Sequence, residues 1–223
     1  LLAVPLSMLP LLPGFAAWTA ATLASLVAIL RRCGVGLAAC AAVALGPAAV
    51  ENALAGQNGA LTAACLVGGL LLAGRHPVAA GALLGLLTLK PHLGILIPLC
   101  LLASRDRRTI LACAATAAAC AAVSALAFGW EAWALHLTDT RAHMTGVLHQ
   151  PYESMFQTGM PTPFMAARAA GAGIAMSYLV QAPVTLGTLV LAWRAWRRPC
   201  PDPAARMALT VALALLATPY AMS

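Results

Sequence analysis

Charge is scarce in this chain. Only 9% of its 223 residues are charged, six of them are acids, and Lys90 is the single lysine. Soluble domains carry roughly 25% charged residues, so a free-standing soluble fold is excluded. Cysteine patterning is also missing. Cys33, Cys40, Cys65, Cys100, Cys113, Cys120 and Cys200 show no CxxC spacing, and most fall inside apolar runs. They read as small packing residues, which excludes a disulfide framework and a cysteine metal site. Alternation of apolar and polar residues is absent from stretches such as "TILACAATAAACAAVSALAF" (109–128). That excludes a membrane β-barrel, whose strands alternate over about 10 residues.

What the chain has instead is apolar length. It is 62% hydrophobic, with mean hydropathy +0.88, and its runs approach the roughly 20 residues that an untilted helix needs to cross a bilayer. The expected fold class is all-α: a polytopic transmembrane helical bundle forming one integral-membrane domain over residues 1–223. The spans predicted are 14–30, 35–50, 59–74, 77–89, 92–104, 109–128, 170–193 and 206–221. The chain starts at Leu1 without Met and stops at Ser223 directly after an apolar run, so it is expected to be a piece of a longer protein.

The net charge of +7 does not form a stripe. It punctuates the apolar runs, at "RRCG" from 31, "RH" from 75, "RDRR" from 105, "WRAWRR" from 193, and Arg206. This is the pattern of short cytoplasmic loops under the positive-inside rule. The expected partner is the lipid bilayer, not nucleic acid. Placing Arg31 and Arg32 inside and following the spans puts ten basic residues inside (31, 32, 75, 105, 107, 108, 194, 197, 198 and 206). Three fall outside: Lys90, Arg141 and Arg168. The assignment requires residues 76–104 to be two short helices turning back at "LKPHLG", because a single span would move "RDRR" outside. Pro91 supplies no backbone donor and biases Lys90 away from helix, which favours the hairpin. Residues 129–168 then form an outer loop of about 40 residues.

On this topology the polar chemistry collects on the outer side: Glu51, Asn52, Gln57, Asn58, Lys90, His92, Glu131, Asp139 and Glu153. Polar groups at membrane depth are costly unless paired or facing a wet cavity, so they are candidate site residues. In "ENALAGQNGALTA" (51–63), Gly56 allows a tight turn, and Gln57 and Asn58 offer donors and acceptors that suit sugar hydroxyls. Helix capping by Asn58 is the structural alternative. Lys90 at a helix break is a natural phosphate partner, with snorkelling to the interface as its alternative. His136, His143 and His149 lack the tight spacing of a helical ligand pair, so no metal is expected. Trp130 and Trp133 read as interface anchors.

The order "GQNGALTAACLVGGLLL", basic turn, "PVAAGALLGLLTLKPHLGILIPL", basic turn, and a span ending "FGWEAW" resembles glycosyltransferase family 87. "MPTPFMAAR" (160–168), the terminal "LLATPY" (215–220) and "LLAVPLSMLPLLPGFAAW" (1–18) extend the resemblance over nearly the whole chain. It implies a GT-C-like integral-membrane hexosyltransferase, similar to the polyprenol-phosphate-mannose-dependent α-mannosyltransferases. The donor would be a sugar, such as mannose, on polyprenyl phosphate, and the acceptor an extracytoplasmic glycan or glycolipid. The implied location is a bacterial inner membrane with the active face extracytoplasmic, and no cofactor is implied beyond the donor itself. Gln57, Asn58 and Lys90 match the family's motif positions, and Arg168 lies in a stretch resembling a further one. His92 stands where other members often carry Gln and is taken as a substrate-binding candidate beside Lys90. Glu51 matches no family acid, and the general base is expected upstream of Leu1. The competing classes are a secondary transporter, whose broken helices also meet at a polar site, and a non-catalytic membrane scaffold.

Overall fold

The computed structural model describes residue 6 and residues 8–153 and 155–220, with the side chains of Arg141, Met144, Met155 and Phe156 outside that description. Residues 1–5 and 7 of the first resemblance stretch, Ala221 of the last expected span, and the outer cation of Arg141 therefore lie outside the described residues. Every regular element described is helical. In chain order these are α1 (Leu11–Arg32), α2 (Leu37–Ala44), α3 (Pro47–Leu54), α4 (Gly59–Leu72) and α5 (Pro77–Gly85), which tightens into a 3-10 turn (Leu86–Leu89). There follow α6 (Ile97–Ser104), α7 (Arg107–Phe128), α8 (Trp130–His149), α9 (Met155–Thr158), α10 (Pro163–Ala169), α11 (Ile174–Arg197) and α12 (Pro203–Ala217).

Length separates these helices into two kinds. α1, α7 and α11 are apolar and 22 to 24 residues long, about 33–36 Å at 1.5 Å per residue, enough for a hydrocarbon core of about 30 Å. α2 and α3 meet the same test only together and are bent by 47° at their junction. Pro47 opens α3, where its missing N–H costs nothing, whereas inside a continuous helix it would remove a backbone bond and favour a kink. The expected span at 35–50 is thus a broken pair. α4, α5 with its 3-10 turn, and α12 are shorter apolar helices. Such half-length helices are tolerated when their ends are covered by protein.

The segment 76–104 folds back on itself. Gly81 lies against Thr109, Ala112 and Cys113, and Gly85 lies against Cys113 and Thr116. These contacts advance together along both chains, so α5 and α7 run parallel. A Cβ at Gly81 would stand 2.5 Å from the Thr109 carbonyl oxygen. The Gly81-to-Gly85 spacing therefore serves the close helix approach that small residues permit in lipid. α6 ends at Ser104, and α7 starts at Arg107 after a left-handed Arg105 (φ 58°). Ile97 and Leu101 of α6 share a groove with Ile110 and Ala117 of α7. α6 thus descends where α5 rose, and the chain reverses between Leu89 and Ile97. The span expected at 92–104 is correspondingly shorter, because residues 90–96 are turn and helix resumes at Ile97.

The hairpin sits in the centre of the bundle. Leu84, Leu87, Leu96, Ile97, Cys100 and Leu101 are buried with Leu66 and Leu70 of α4, Trp196 of α11 and Leu213 of α12. α1 packs on α4 through Leu26 and Leu30 against Ala60 and Ala64. At the end rich in arginine, two of the six acids are spent on caps. Asp106 accepts from the Thr109 N–H at 3.1 Å, and Asp202 accepts from the Ala204 and Ala205 N–H groups.

Residues 129–168, expected as a loop, hold the 20-residue helix α8 and the short α9 and α10. Gly129 (φ 81°) stands between α7 and α8 in the left-handed region that favours glycine, so the chain turns there without strain. Hydropathy finds spans rather than helices, and "WEAWALHLTDTRAHMTG" is too polar to register as one.

The reversal has a direct test. In a cysteine-free background, cysteines at the exposed positions Gln57 and His143 should react with an impermeant maleimide from outside, and Arg107→Cys only after permeabilisation. Labelling of Arg107→Cys from outside would replace the hairpin by a single crossing.

Candidate functional site

The turn between α3 and α4 is built from local hydrogen bonds. The Gln57 N–H donates to the Asn52 carbonyl at 3.0 Å, and the Gly56 N–H donates to the Ala53 carbonyl. Gly56 has φ +62°, and a Cβ there would stand 3.2 Å from the Phe15 ring. Both conformation and space therefore call for glycine. The first N–H of α4, on Gly59, donates to Asn52 Oδ1 at 2.7 Å. Asn58 occupies the N-cap position by backbone, yet its side chain makes no capping bond. Its Oδ1 is buried and has no hydrogen-bond partner among the described residues. The capping role weighed for Asn58 thus belongs to Asn52. Leaving a buried acceptor unpaired costs about 1–3 kcal/mol.

Lys90 approaches the same turn from the hairpin. Its N–H donates to the Leu87 carbonyl, and its own carbonyl accepts from Leu93. Its side chain is half-buried, and that burial pushes its ammonium below the usual lysine range. Gln57, Asn58 and Lys90 line one cavity of about 680 Å³ with Gly56. The start of α1 adds Leu11, Gly14, Phe15 and Trp18 to the lining. The cavity therefore offers a cation and two amides together with aliphatic and aromatic surface. No carboxylate is among the lining residues described. Phe15 and Trp18 escaped the sequence reading because an aromatic residue inside an apolar span carries no local mark of a site.

The other two candidates stand apart from this cavity. His92 packs edge-on against Tyr220, with ring centroids 5.6 Å apart and planes at 89°. Arg168, in the last turn of α10, gives one Nη to the Gln150 carbonyl at 2.8 Å and the other to the Ala172 carbonyl at 3.1 Å. These two bonds tie α8 to the α10–α11 turn, while the buried Nε has no hydrogen-bond partner among the described residues. The histidines of α8 are spread along that helix. His136 bonds to Thr140, and His149 bonds to Tyr178 of α11 at 3.1 Å.

This arrangement can hold an amphiphile with an anionic, hydroxyl-bearing head and an apolar tail. Compared with known proteins, residues 1–219 match the family model described as glycosyltransferase family 87. No curated protein and no solved structure matches the chain.

The two asparagines should separate in stability. Asn52→Ala removes a working cap and should lower unfolding stability by about 1 kcal/mol. Asn58→Ala removes a buried acceptor that has no hydrogen-bond partner among the described residues, so it should not lower stability and should raise it if anything. Thermal melts of the full chain in detergent read both, and equal losses would return the cap to Asn58.

Proposed function

The chain belongs to glycosyltransferase family 87 and is a membrane glycosyltransferase; from that premise we propose that it moves a hexose, such as mannose, from polyprenyl phosphate to a glycan or glycolipid acceptor. We place that transfer on the extracytoplasmic face of a bacterial inner membrane, in line with the basic residues gathered at the opposite end of the bundle. The observation that carries the donor assignment is the mixed lining of the cavity, which joins Lys90, Gln57 and Asn58 to Leu11, Phe15 and Trp18. A nucleotide sugar would present no long apolar tail to the apolar lining, whereas a lipid-linked sugar presents both parts.

Physical chemistry assigns each group a part. The bond from the sugar's anomeric carbon to the phosphate oxygen breaks as the acceptor oxygen attacks that carbon, and a base takes the acceptor's proton. The phosphate then passes from a diester of charge about −1 to a monoester of charge about −2, since a phosphomonoester's second pKa lies near 6. Attraction to the Lys90 ammonium grows as that charge develops, so Lys90 favours the transition state over the bound donor. Gln57, which is exposed, and the Asn58 amide beside it would hold sugar hydroxyls next to Lys90. His92 would support the Lys90 turn through Tyr220, and Arg168 would shape the outer segment rather than touch the phosphate. With no carboxylate lining the cavity among the described residues, donor binding is the part of the reaction assigned to this chain's residues.

Polyprenyl phosphate binding in detergent tests this reading. Lys90→Met should weaken it by roughly ten- to a hundredfold, the loss of one charge-assisted bond of about 1.5–3 kcal/mol. Lys90→Arg should retain part of the affinity, because charge survives although geometry changes. The pH profile adds a signature. Burial disfavours the ammonium, so it is lost at lower pH than in an ordinary lysine. Wild-type affinity should therefore fall as pH rises in the alkaline range, while Lys90→Arg stays flat. Equal affinities of wild type and Lys90→Met would remove Lys90 from the site.

A further inference from the structure

Gln181 lies in the first half of α11, 3% exposed, far from the cavity in sequence and not among its lining residues. Its side-chain amide is fully engaged. Oε1 accepts the Phe164 N–H at 3.0 Å, and Nε2 donates to the Leu216 carbonyl at 2.8 Å and to Thr185 Oγ at 3.0 Å. Thr185 in turn donates its hydroxyl to the Ala217 carbonyl at 2.9 Å. The amide's orientation is thereby dictated, since a flip would set its NH₂ against the Phe164 N–H and its oxygen against the Leu216 carbonyl. Phe164 is in the first turn of α10, and Leu216 and Ala217 are in the last turn of α12. Helix-end groups of this kind have no partner inside their own helices. One glutamine therefore joins the start of α10 to the end of α12.

The chain of contacts continues to the hairpin tip. Thr162 caps α10 by accepting the Met165 N–H, and its hydroxyl donates to the Pro219 carbonyl at 3.2 Å. Thr218 Oγ accepts the Tyr220 N–H and donates to the Tyr220 carbonyl. Tyr220 is then held edge-on against His92. His92 belongs to the same turn as Lys90, closed by Leu93 N–H to the Lys90 carbonyl and Gly94 N–H to the Pro91 carbonyl.

We propose that Gln181 is a positioning residue for the donor site: it sets the 216–220 segment, Tyr220 braces His92, and this fixes the turn that presents Lys90. That the turn serves a phosphate rests on the donor reading above. That the turn depends on Gln181 rests on the contacts alone. A residue serving only local packing would hold α10 and α12 and leave the hairpin tip indifferent.

The test is hydrogen–deuterium exchange on the full chain in detergent, combined with polyprenyl phosphate binding. In Gln181→Leu, amides of residues 90–96 should exchange about tenfold faster than in wild type, while those of residues 59–62 keep wild-type rates. Polyprenyl phosphate affinity should fall in the same variant. Should Gln181→Leu fail to fold, Tyr220→Ala removes the ring that meets His92, along with its packing on the cluster of Phe164 and Met165, and should speed exchange at 90–96 equally, while Tyr220→Phe, which keeps the ring, should not. Faster exchange confined to 162–166 and 214–220 would overturn the proposal. So would faster exchange at 90–96 with donor affinity unchanged. If wild type itself binds no polyprenyl phosphate, the donor reading fails, and the positioning role toward phosphate fails with it. The exchange result separately reports whether the mechanical coupling exists.

Discussion

A proline that cannot donate a hydrogen bond stops a helix in the middle of this bundle, and the rest of the structure is arranged around that stop. In hydrocarbon a broken helix is stable only where protein covers its open ends. Here α5 tightens into a 3-10 turn before Lys90, Pro91 follows, and the chain doubles back as α6. Gly81 and Gly85 bring the rising arm against α7. The descending arm is buried against α11 and α12 through Ile97, Cys100 and Leu101. The break leaves its tip, and the single lysine, lining the same cavity as the turn at Gly56–Asn58. Lys90 is thus presented by fold architecture and not by a flexible loop.

Because lipid tails are as apolar as leucine, burial alone does not drive helices together in a membrane, and polar contacts between them become correspondingly important. The described residues show several at the two ends of the bundle. Toward the arginine-rich end, Trp196 Nε1 donates to Thr210 at 2.9 Å, and Arg206 stacks over the Trp196 ring at 4.3 Å, locking α11 to α12. Toward the other end, Gln157 is 0% exposed, donates to the Val147 and Gln150 carbonyls and accepts the Glu153 N–H. Gln181 does the corresponding work between α10 and α12. The family match favours sugar transfer over the transporter and scaffold readings.

Much of this architecture is written in local pattern. Hydropathy and the basic turns locate the helices, and "LKPHLG" marks the reversal because proline acts on its own residue and the one before it. The polar cluster of Gln57, Asn58 and Lys90 is legible because polar groups are conspicuous in so apolar a chain. What local pattern misses depends on three-dimensional partners. Asn52 rather than Asn58 caps α4, since the Gly56 turn swings Asn52 back over Gly59. Trp18 and Phe15 look like ordinary span residues until α1 is packed across the Gly56 turn. Arg168 carries a charge suited to phosphate, yet two backbone carbonyls occupy it. α8 is a helix whose polarity hides it from a search for spans.

The central claim is that the cavity between the Gln57–Asn58 turn, Lys90 and the start of α1 receives the donor's phosphate and first isoprenoid units. Photocrosslinking of the full protein with a polyprenyl phosphate bearing a diazirine in the isoprenoid unit nearest the phosphate reads this directly. Labelled peptides should come from residues 11–18, 56–58 and 88–92, and excess unlabelled polyprenyl phosphate should compete the label away. Competable labelling concentrated instead at the arginine turns, residues 105–108 or 193–198, would contradict it.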